Sequence, residues 1–355
     1  MSARSFRKFF NGFLGVLLLV ALPACGDDPL VPVVPDISTR EIGVVVTSTD
    51  VALTIFDVED PTQTETVGLG ADGSPVSLAV RGPLAAVPLG VVPAVAVVDL
   101  GDGSLLRTIG LAEGSGATGV AFVNDSIVLV ANPNLNSVTP VNVLAGTTGA
   151  AIDVGRFPQG VVVEGGRAYV LNAELENFAP AGPSTITVLD ASSLAVIDTI
   201  ELSGQNAADG VIGPDGRLYV IQSGSWGESN GSLSVVDLAS GTEVDFVEGF
   251  GNFPGSIAMD GDGRVYSGVF GVGMLVWNSS TGGFTHGPDD AATPGGVAST
   301  SGIAIDSEGR VYALTPDCQD PAFVHRLNTS YESETSIPVG ICPFAIAFTE
   351  VEEGL

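Results

Sequence analysis

The chain has 355 residues, of which 45% are hydrophobic, 6% aromatic and 15% charged, with 47 Gly and 22 Pro. So many turn-forming residues and so few charges argue against coiled coils and long helices and favour a turn-rich all-β domain. The net charge of −29 argues against a nucleic-acid partner, and two His with three Cys leave too few ligands for a multi-histidine metal or haem centre.

Residues 1–24 have the composition of a signal peptide. They begin with a positive segment that contains Arg4, Arg7 and Lys8. The apolar run of residues 13–22 is too short to span a bilayer. It ends in Leu-Pro-Ala-Cys25, which resembles a bacterial lipobox, in which the Cys becomes the lipidated first residue. We therefore predict a lipid anchor on Cys25 and an extracytoplasmic place in the bacterial cell envelope, at the outer membrane or the periplasmic face. The alternative is an ordinary secretory signal cut after Ala24.

Residues 25–41 are predicted to be a spacer that follows the lipidated Cys. Three prolines, Pro29, Pro32 and Pro35, favour extended polyproline geometry, at about 3 Å per residue. The segment would hold the domain away from the membrane.

From residue 42 to 349 one pattern recurs about every 45 residues: a small residue, an apolar triplet, a Gly turn and Arg-x-Tyr. The clear copies span 159–172, 209–222, 254–266 and 301–312, weaker ones start at 76 and 119, and a truncated one spans 344–348. This period is typical of a four-stranded propeller blade. Seven copies predict an all-β, seven-bladed β-propeller over residues 42–349, followed by a short acidic tail, 350–355.

Segments of alternating polar and apolar residues predict the third strand of each period. The turns from the third strand to the fourth begin with Asp99, Asp237 or Asn278. We interpret these residues as turn caps rather than catalytic groups, because Asp and Asn bond their own backbone two residues on. Residues 42–46 match a second strand and 344–348 a first strand. The C-terminal strand should therefore complete the N-terminal blade and close the ring.

The copy at 159–172, Gln-Gly-Val-Val-Val-Glu-Gly-Gly-Arg-Ala-Tyr-Val-Leu-Asn, resembles the repeat of the YVTN or YncE-like β-propellers, a group related in pattern to NHL propellers. The resemblance covers residues 42–349. It implies a propeller whose ligands bind on the face where the loops between strands 2 and 3 and between blades emerge. It does not imply one function, since propellers include binding modules and several classes of enzyme.

Two long loops, 172–184 and 222–231, should emerge on that face from neighbouring blades. They offer the aromatic rings of Phe178 and Trp226 and the carboxylates of Glu174, Glu176 and Glu228. Aromatic rings beside carboxylates suit a sugar-like, cationic or peptide ligand. The alternative is that the loops pack on each other around Trp226.

Polar residues are also predicted near the mouth of the central channel. Asn132, Asn172 and Gln222 follow second strands, and Asp209 is expected in an adjacent loop. Such oxygens could hold waters or a calcium ion; no other cofactor or metal is expected. The Asp-Gly-Asp-Gly run at 260–263 is interpreted as a hairpin turn.

Two cysteines remain besides Cys25. Cys318 follows a second strand of the last blade, and Cys342 precedes the closing strand. In an exported protein this placement predicts a disulfide that fastens the ring, with two free thiols as the alternative.

The function predicted is a monomeric binding scaffold for a small polar ligand or a protein partner. No catalytic residue is assigned, because His325 lies within a predicted strand and does not pair with His286. The alternative is a lactonase-like hydrolase or lyase that uses Arg156, His286 and a carboxylate at the channel mouth with a divalent cation. A third interpretation is a structural envelope protein that presents its loops to a partner.

Overall fold

The computed structural model describes residues 38–352. The predicted signal, Cys25 and nearly all of the spacer lie outside the described residues. Seven antiparallel sheets follow one another along the chain, six with four strands and one whose outer strand is split in two. The prediction of a seven-bladed propeller is therefore confirmed.

The strands of each blade succeed one another from an inner strand, beside the axis, to an outer strand. Blade 1 has Pro343–Glu352, Thr39–Thr47, Ala52–Asp57 and Thr64–Gly68. Blade 2 has Ala79–Arg81, Leu84–Pro88, Ala94–Asp99 and Ser104–Gly110. Blade 3 has Val120–Phe122, Ile127–Asn132, Ser137–Asn142 and the split outer pieces Thr147–Thr148 and Ile152–Asp153. Blade 4 has Pro158–Glu164, Arg167–Asn172, Thr185–Asp190 and Val196–Glu201.

Blade 5 has Ala207–Ile212, Leu218–Gln222, Ser232–Asp237 and Thr242–Glu248. Blade 6 has Pro254–Met259, Arg264–Val269, Gly273–Asn278 and Gly283–His286. Blade 7 has Gly302–Ile305, Val311–Thr315, Pro321–Leu327 and Ser333–Ile341. A small hairpin, Leu175–Glu176 with Ala179–Pro180, and two 3-10 turns, Pro133–Leu135 and Pro294–Gly296, lie in loops. Within residues 38–352, neither turn has the length or the apolar run that a membrane crossing needs.

The hydrophobic core is divided among the seven interfaces between adjacent blades. Successive side chains of a strand point to opposite faces, and both faces of a blade are covered by a neighbour. In the second strand of blade 5, Leu218 and Val220 pack toward blade 4, whereas Tyr219 and Ile221 pack toward blade 6. Double-sided burial therefore explains why the strands are almost continuously apolar.

The closing strand confirms the predicted closure. Pro343–Glu352 pairs antiparallel with Thr39–Thr47, so that residues from the two ends of the domain form one blade. The pairing continues to Thr39 and Glu352, and Val351 is buried. The strand thus extends past residue 349, the boundary expected from the repeat, because the pairing with Arg40 and Glu41 continues there.

The predicted disulfide between Cys318 and Cys342 is present. Cys318 lies in the loop between strands 2 and 3 of blade 7, and Cys342 lies immediately before the closing strand. The backbone carbonyl of Asp317 also accepts a hydrogen bond from the Cys342 N–H at 2.6 Å. On the blade 1 side, the Asp50 carboxylate accepts one from the Ile341 N–H, also at 2.6 Å. The seam of the ring is therefore fastened by covalent and polar contacts.

The Arg-x-Tyr signature of the repeat builds the hairpin between the first two strands. In blade 6, Asp260 Oδ1 accepts hydrogen bonds from the N–H groups of Asp262 and Arg264. Its Oδ2 binds the Arg264 guanidinium and the Tyr266 hydroxyl, each at 2.8 Å. The run at 260–263 is therefore a capped turn, as predicted. The turns at Asp99, Asp237 and Asn278 are capped in the same way.

Candidate functional site: an axial channel with an aromatic mouth

The inner strands enclose an axial channel of about 630 Å³. In five blades, one residue of the inner strand pairs with the penultimate residue of the second strand and lines the channel. These residues are Gly160, Asp209, Ser256, Gly302 and Ala345. The blades converge at this level: a Cβ on Gly302 would lie 2.6 Å from the Phe344 carbonyl oxygen of the next blade. Because second strands end at the loops between strands 2 and 3, these residues lie near the face that carries those loops, which we call the upper face.

Three contacts show that these loops share the upper face with the loops between blades. Trp226 contacts Phe253, Phe178 contacts Phe157, and Cys318 bonds Cys342. In each pair the first residue lies between strands 2 and 3, and the second directly precedes an inner strand. This arrangement agrees with the face expected from the repeat.

Among the described residues that line the channel, Asp209 alone has an ionisable side chain. It belongs to the inner strand Ala207–Ile212 and not to a loop, which corrects the expectation from the sequence, because a bulge at Ala208 lets the strand begin earlier. Its Oδ1 accepts a hydrogen bond from the Gly210 N–H at 2.8 Å. Burial raises the pKa of Asp209 to about 6, against the opposing effect of hydrogen bonds from the backbone of Gly210 and Ile257. No ion pair with Arg joins this carboxylate among residues 38–352.

Two residues with buried hydroxyl groups line the same part of the channel. Ser256 occupies the position in blade 6 that Asp209 occupies in blade 5, and Thr300 lies two residues before the inner strand of blade 7. Ser256 is 9% exposed and Thr300 is 1% exposed. Neither hydroxyl oxygen has a hydrogen-bond partner within the described part of the chain. Both oxygens have almost no accessible surface, so they are unsatisfied buried groups and do not themselves face the channel lumen.

Aromatic rings form one side of the mouth. Trp226, Phe253 and Phe270 line the channel, and the rings of Trp226 and Phe253 meet edge to face with centroids 5.0 Å apart. Trp226 is 73% exposed and Phe270 is 58% exposed, so their faces are accessible. Phe253 has a φ of +59°, a costly conformation for an aromatic residue that points its ring toward Trp226.

Sequence reasoning singled out Trp226 but missed Phe253 and Phe270. One signal does exist for Phe253: Phe-Pro occurs twice where an inner strand begins, at 157–158 and 253–254. Both phenylalanines have positive φ, and each contacts the aromatic residue of a long loop.

The loop 172–184 lies beside blade 4 and contributes no residue to the channel lining. Phe178 is 81% exposed and packs on Phe157, with centroids 5.7 Å apart. Glu174 accepts a hydrogen bond from the Thr185 hydroxyl at 2.8 Å, and Glu176 pairs with Arg156 at 3.4 Å.

The second long loop, 222–231, is held by its own polar groups. Glu228 accepts a hydrogen bond from the Asn230 side chain at 3.2 Å, and Asn230 accepts one from the Ser225 N–H at 2.9 Å. Trp226 packs on Phe253 of the next blade and not on Phe178. The two loops therefore present separate aromatic rings, and neither ring forms a buried core of the loops.

The amide side chains expected at the channel mouth lie inside their blades. Asn132, Asn172 and Gln222 end second strands, are buried, and bond Ser or Thr hydroxyls of the adjacent third strand. None of them lines the channel. Second strands lie behind the inner strands, so their last residues bond within the blade, whereas Asp209 belongs to an inner strand and lines the channel.

The hydrolase hypothesis required Arg156, His286 and a carboxylate to converge. Arg156 pairs with Glu176 beside blade 4. His286 ends the outer strand of blade 6, where its Nδ1 lies 2.9 Å from the Asp290 carbonyl oxygen and its ring packs on Tyr331. Neither residue lines the channel, so the structure does not bring this set together. Within residues 38–352 no group of three His, Cys, Asp or Glu residues is placed to hold a metal ion; calcium at the mouth stays a prediction.

Comparison with known proteins supports the fold. No protein-family model matches the chain, and no curated protein matches it. Among solved structures, the chain is similar to hydrazine synthase from Kuenenia stuttgartiensis, with a TM-score of 0.63 and 16% identity. The match covers 79% of this chain and 96% of that one. At this identity the likeness concerns the propeller architecture alone.

Proposed function

We propose that the protein is a YVTN/YncE-like propeller that serves as a binding scaffold on the bacterial cell envelope and binds a small polar ligand at the upper mouth of its channel. The observation that carries the proposal is the lining of that mouth: exposed aromatic rings and one carboxylate around a cavity of about 630 Å³. This volume lies within the range of small-molecule sites, which combine apolar walls with a few polar groups.

Trp226 supplies a direct test of binding at the mouth. The chain has two Trp residues, and the other, Trp277, is buried between blades 5 and 6. A ligand in the mouth should quench or shift the emission of Trp226, and should protect it from acrylamide. A Trp226→Phe variant should lose the signal. If a broad panel of amines, sugars, alcohols and carboxylates leaves the emission unchanged, the mouth is not a ligand site.

The envelope location is tested separately. In a bacterial host, the full-length chain should incorporate labelled fatty acid and fractionate with membranes, and Cys25→Ala should abolish both. A Cys318→Ser variant that keeps Cys25 is the matched control. An unlabelled chain recovered in the soluble envelope fraction would favour an ordinary secretory signal instead.

A further inference from the structure

We infer that the upper face is a docking surface for a basic polypeptide segment of a partner protein, a segment that carries lysine or arginine together with apolar side chains. The surface is formed by the loops between strands 2 and 3 and the loops between blades, which we call the upper loops. This inference goes beyond the proposed function, because it concerns a surface wider than the channel mouth and a macromolecular partner.

Exposed apolar side chains recur on the upper loops. Blades 2 to 6 each expose one large apolar residue from the loop between strands 2 and 3: Val91, Leu135, Phe178, Trp226 and Phe270. We call this set the apolar arc. Among residues 38–352, the loops of the opposite face expose one such side chain, Leu144. Exposed apolar surface concentrated on one face marks an interaction site, and aromatic residues are enriched in protein interfaces.

Two rings of the apolar arc are held in place by neighbouring phenylalanines. Phe178 packs edge to face on Phe157, and Trp226 packs in the same way on Phe253. Phe157, Phe178 and Phe253 have φ of +54°, +62° and +59°, values that cost free energy and that bulky residues rarely adopt. Neighbouring blades thus repeat a strained arrangement that holds an exposed ring. A ring that is already held loses less conformational freedom when a partner binds.

The charge of the upper loops selects a basic partner. Among the described residues of these loops, Arg156 is the one arginine or lysine, and it is paired with Glu176. Every other arginine of residues 38–352 lies in a strand or in a hairpin of the opposite face. The remaining carboxylates of the upper loops form no ion pair with arginine in the part of the chain that the structure describes: Asp50, Asp72, Glu113, Glu174, Glu228, Asp289, Asp290, Asp317 and Asp320. Such a surface attracts a basic partner and repels an acidic one.

The same charge argues against three other occupants of the apolar arc. A second copy of this chain would bring the same acidic loops to the interface. The chain's own segment 26–37 contains Asp27, Asp28 and Asp36 and no basic residue. A membrane with anionic headgroups would also be repelled. A basic polypeptide complements both the apolar side chains and the carboxylates around them.

The test begins with a library of random peptides displayed on phage. The target is the purified protein with Cys25→Ser, which removes the predicted lipid site. Enriched peptides should contain lysine or arginine together with aromatic or aliphatic residues. A synthetic copy of the most enriched peptide should bind in calorimetry. Its affinity should fall at least about threefold as salt rises from about 0.1 M to 1 M, because the Debye length falls from about 10 Å to 3 Å.

The variant Val91→Ala with Phe178→Ala tests the apolar arc, because neither residue lines the channel. It should bind the peptide about tenfold more weakly, the loss expected when an aromatic residue of an interface is removed. The matched control is Leu144→Ala with Val244→Ala. These exposed side chains lie on the opposite face and on the outer strand of blade 5, and their removal should leave the affinity unchanged.

The variant Glu113→Gln with Asp289→Asn tests the charge, since both are exposed carboxylates of the upper loops. It should weaken the peptide about threefold and reduce the dependence of its affinity on salt. Asp102→Asn with Glu164→Gln removes the same charge from exposed positions of the opposite face and should do neither.

Four results would overturn the inference: no enrichment over the bare support, enrichment of acidic or uncharged peptides, unchanged binding in Val91→Ala with Phe178→Ala, or equal losses in the opposite-face variants. A dimer in sedimentation that Val91→Ala with Phe178→Ala dissociates would assign the apolar arc to a second copy instead. The proposed function is tested separately, because this variant keeps Trp226. A small ligand that perturbs Trp226 supports the proposed function even if no peptide binds. If a peptide binds as expected but no small solute perturbs Trp226, the proposed function fails alone.

Discussion

Asn in place of Asp209 should stabilise the folded protein at neutral pH. Folding raises the pKa of this carboxyl from 3.8 to about 6, because burial disfavours the ionised form. Below pH 3.8 the group is protonated in both states and folding carries no penalty. As the pH rises from about 4 to 6, the unfolded chain loses its proton first, so the folded state loses stability. A shift of about two units corresponds to up to about 3 kcal/mol, which is present in full above pH 6.

The assay is thermal unfolding of Asp209→Asn and the parent from pH 4 to pH 8 at constant ionic strength. With an unfolding entropy of about 2.1 cal/mol/K per residue for a domain of this size, 3 kcal/mol raises Tm by about 4–5 °C. The difference should be largest at pH 8 and should vanish near pH 4. Asp209→Ser, which places the blade 6 residue at this position, should behave alike. Equal Tm values at pH 8, or a difference independent of pH, would refute the reasoning.

Three further predictions concern the seam, the hairpins and blade 7. Replacing Cys318 and Cys342 by Ser should cost about 3 kcal/mol, because the bond closes a loop with a sequence separation of 24; non-reducing calorimetry checks this. Tyr266→Phe should cost about 1.5–3 kcal/mol in chemical unfolding, since its hydroxyl donates to the Asp260 carboxylate at 2.8 Å. Burial lowers the pKa of His325, so stability should fall as the pH drops below 6.5, and Tm values at pH 7.5 and 5.5 should show that His325→Gln lacks this loss.

Each of these has a control. Reducing agent should destabilise the parent and leave the double Ser variant unchanged. Tyr331→Phe removes a hydroxyl that makes no hydrogen bond among residues 38–352, and should change stability by less than about 0.5 kcal/mol. For His325, the parent and the variant share Asp209, so the opposite pH dependence of that carboxyl cancels in their difference. A loss as large in Tyr331→Phe, or the same pH slope in His325→Gln, would contradict the assignments.

The repeat made the ring predictable. Three features depend on residues close together in the sequence. They are the inner strand at the start of each of the seven repeats, the hairpin at each Gly turn and the Asp or Asn caps at the outer turns. The closing strand and the bond between Cys318 and Cys342 follow from the same count, because the domain begins in a second strand and ends in a first one. These features are local or periodic, and a single sequence encodes them directly.

The composition of the site depended on tertiary structure. Asn132, Asn172 and Gln222 end second strands, which the inner strands separate from the channel, whereas Asp209 belongs to an inner strand and lines it. Phe253 reaches the mouth only because its backbone has positive φ, and its ring then meets Trp226 from the preceding blade. The sequence repeat of about 45 residues is therefore enough to encode the blades and their closure. Which side chains face the channel was settled by the convergence of seven strands on one axis, a relation between segments far apart in the chain.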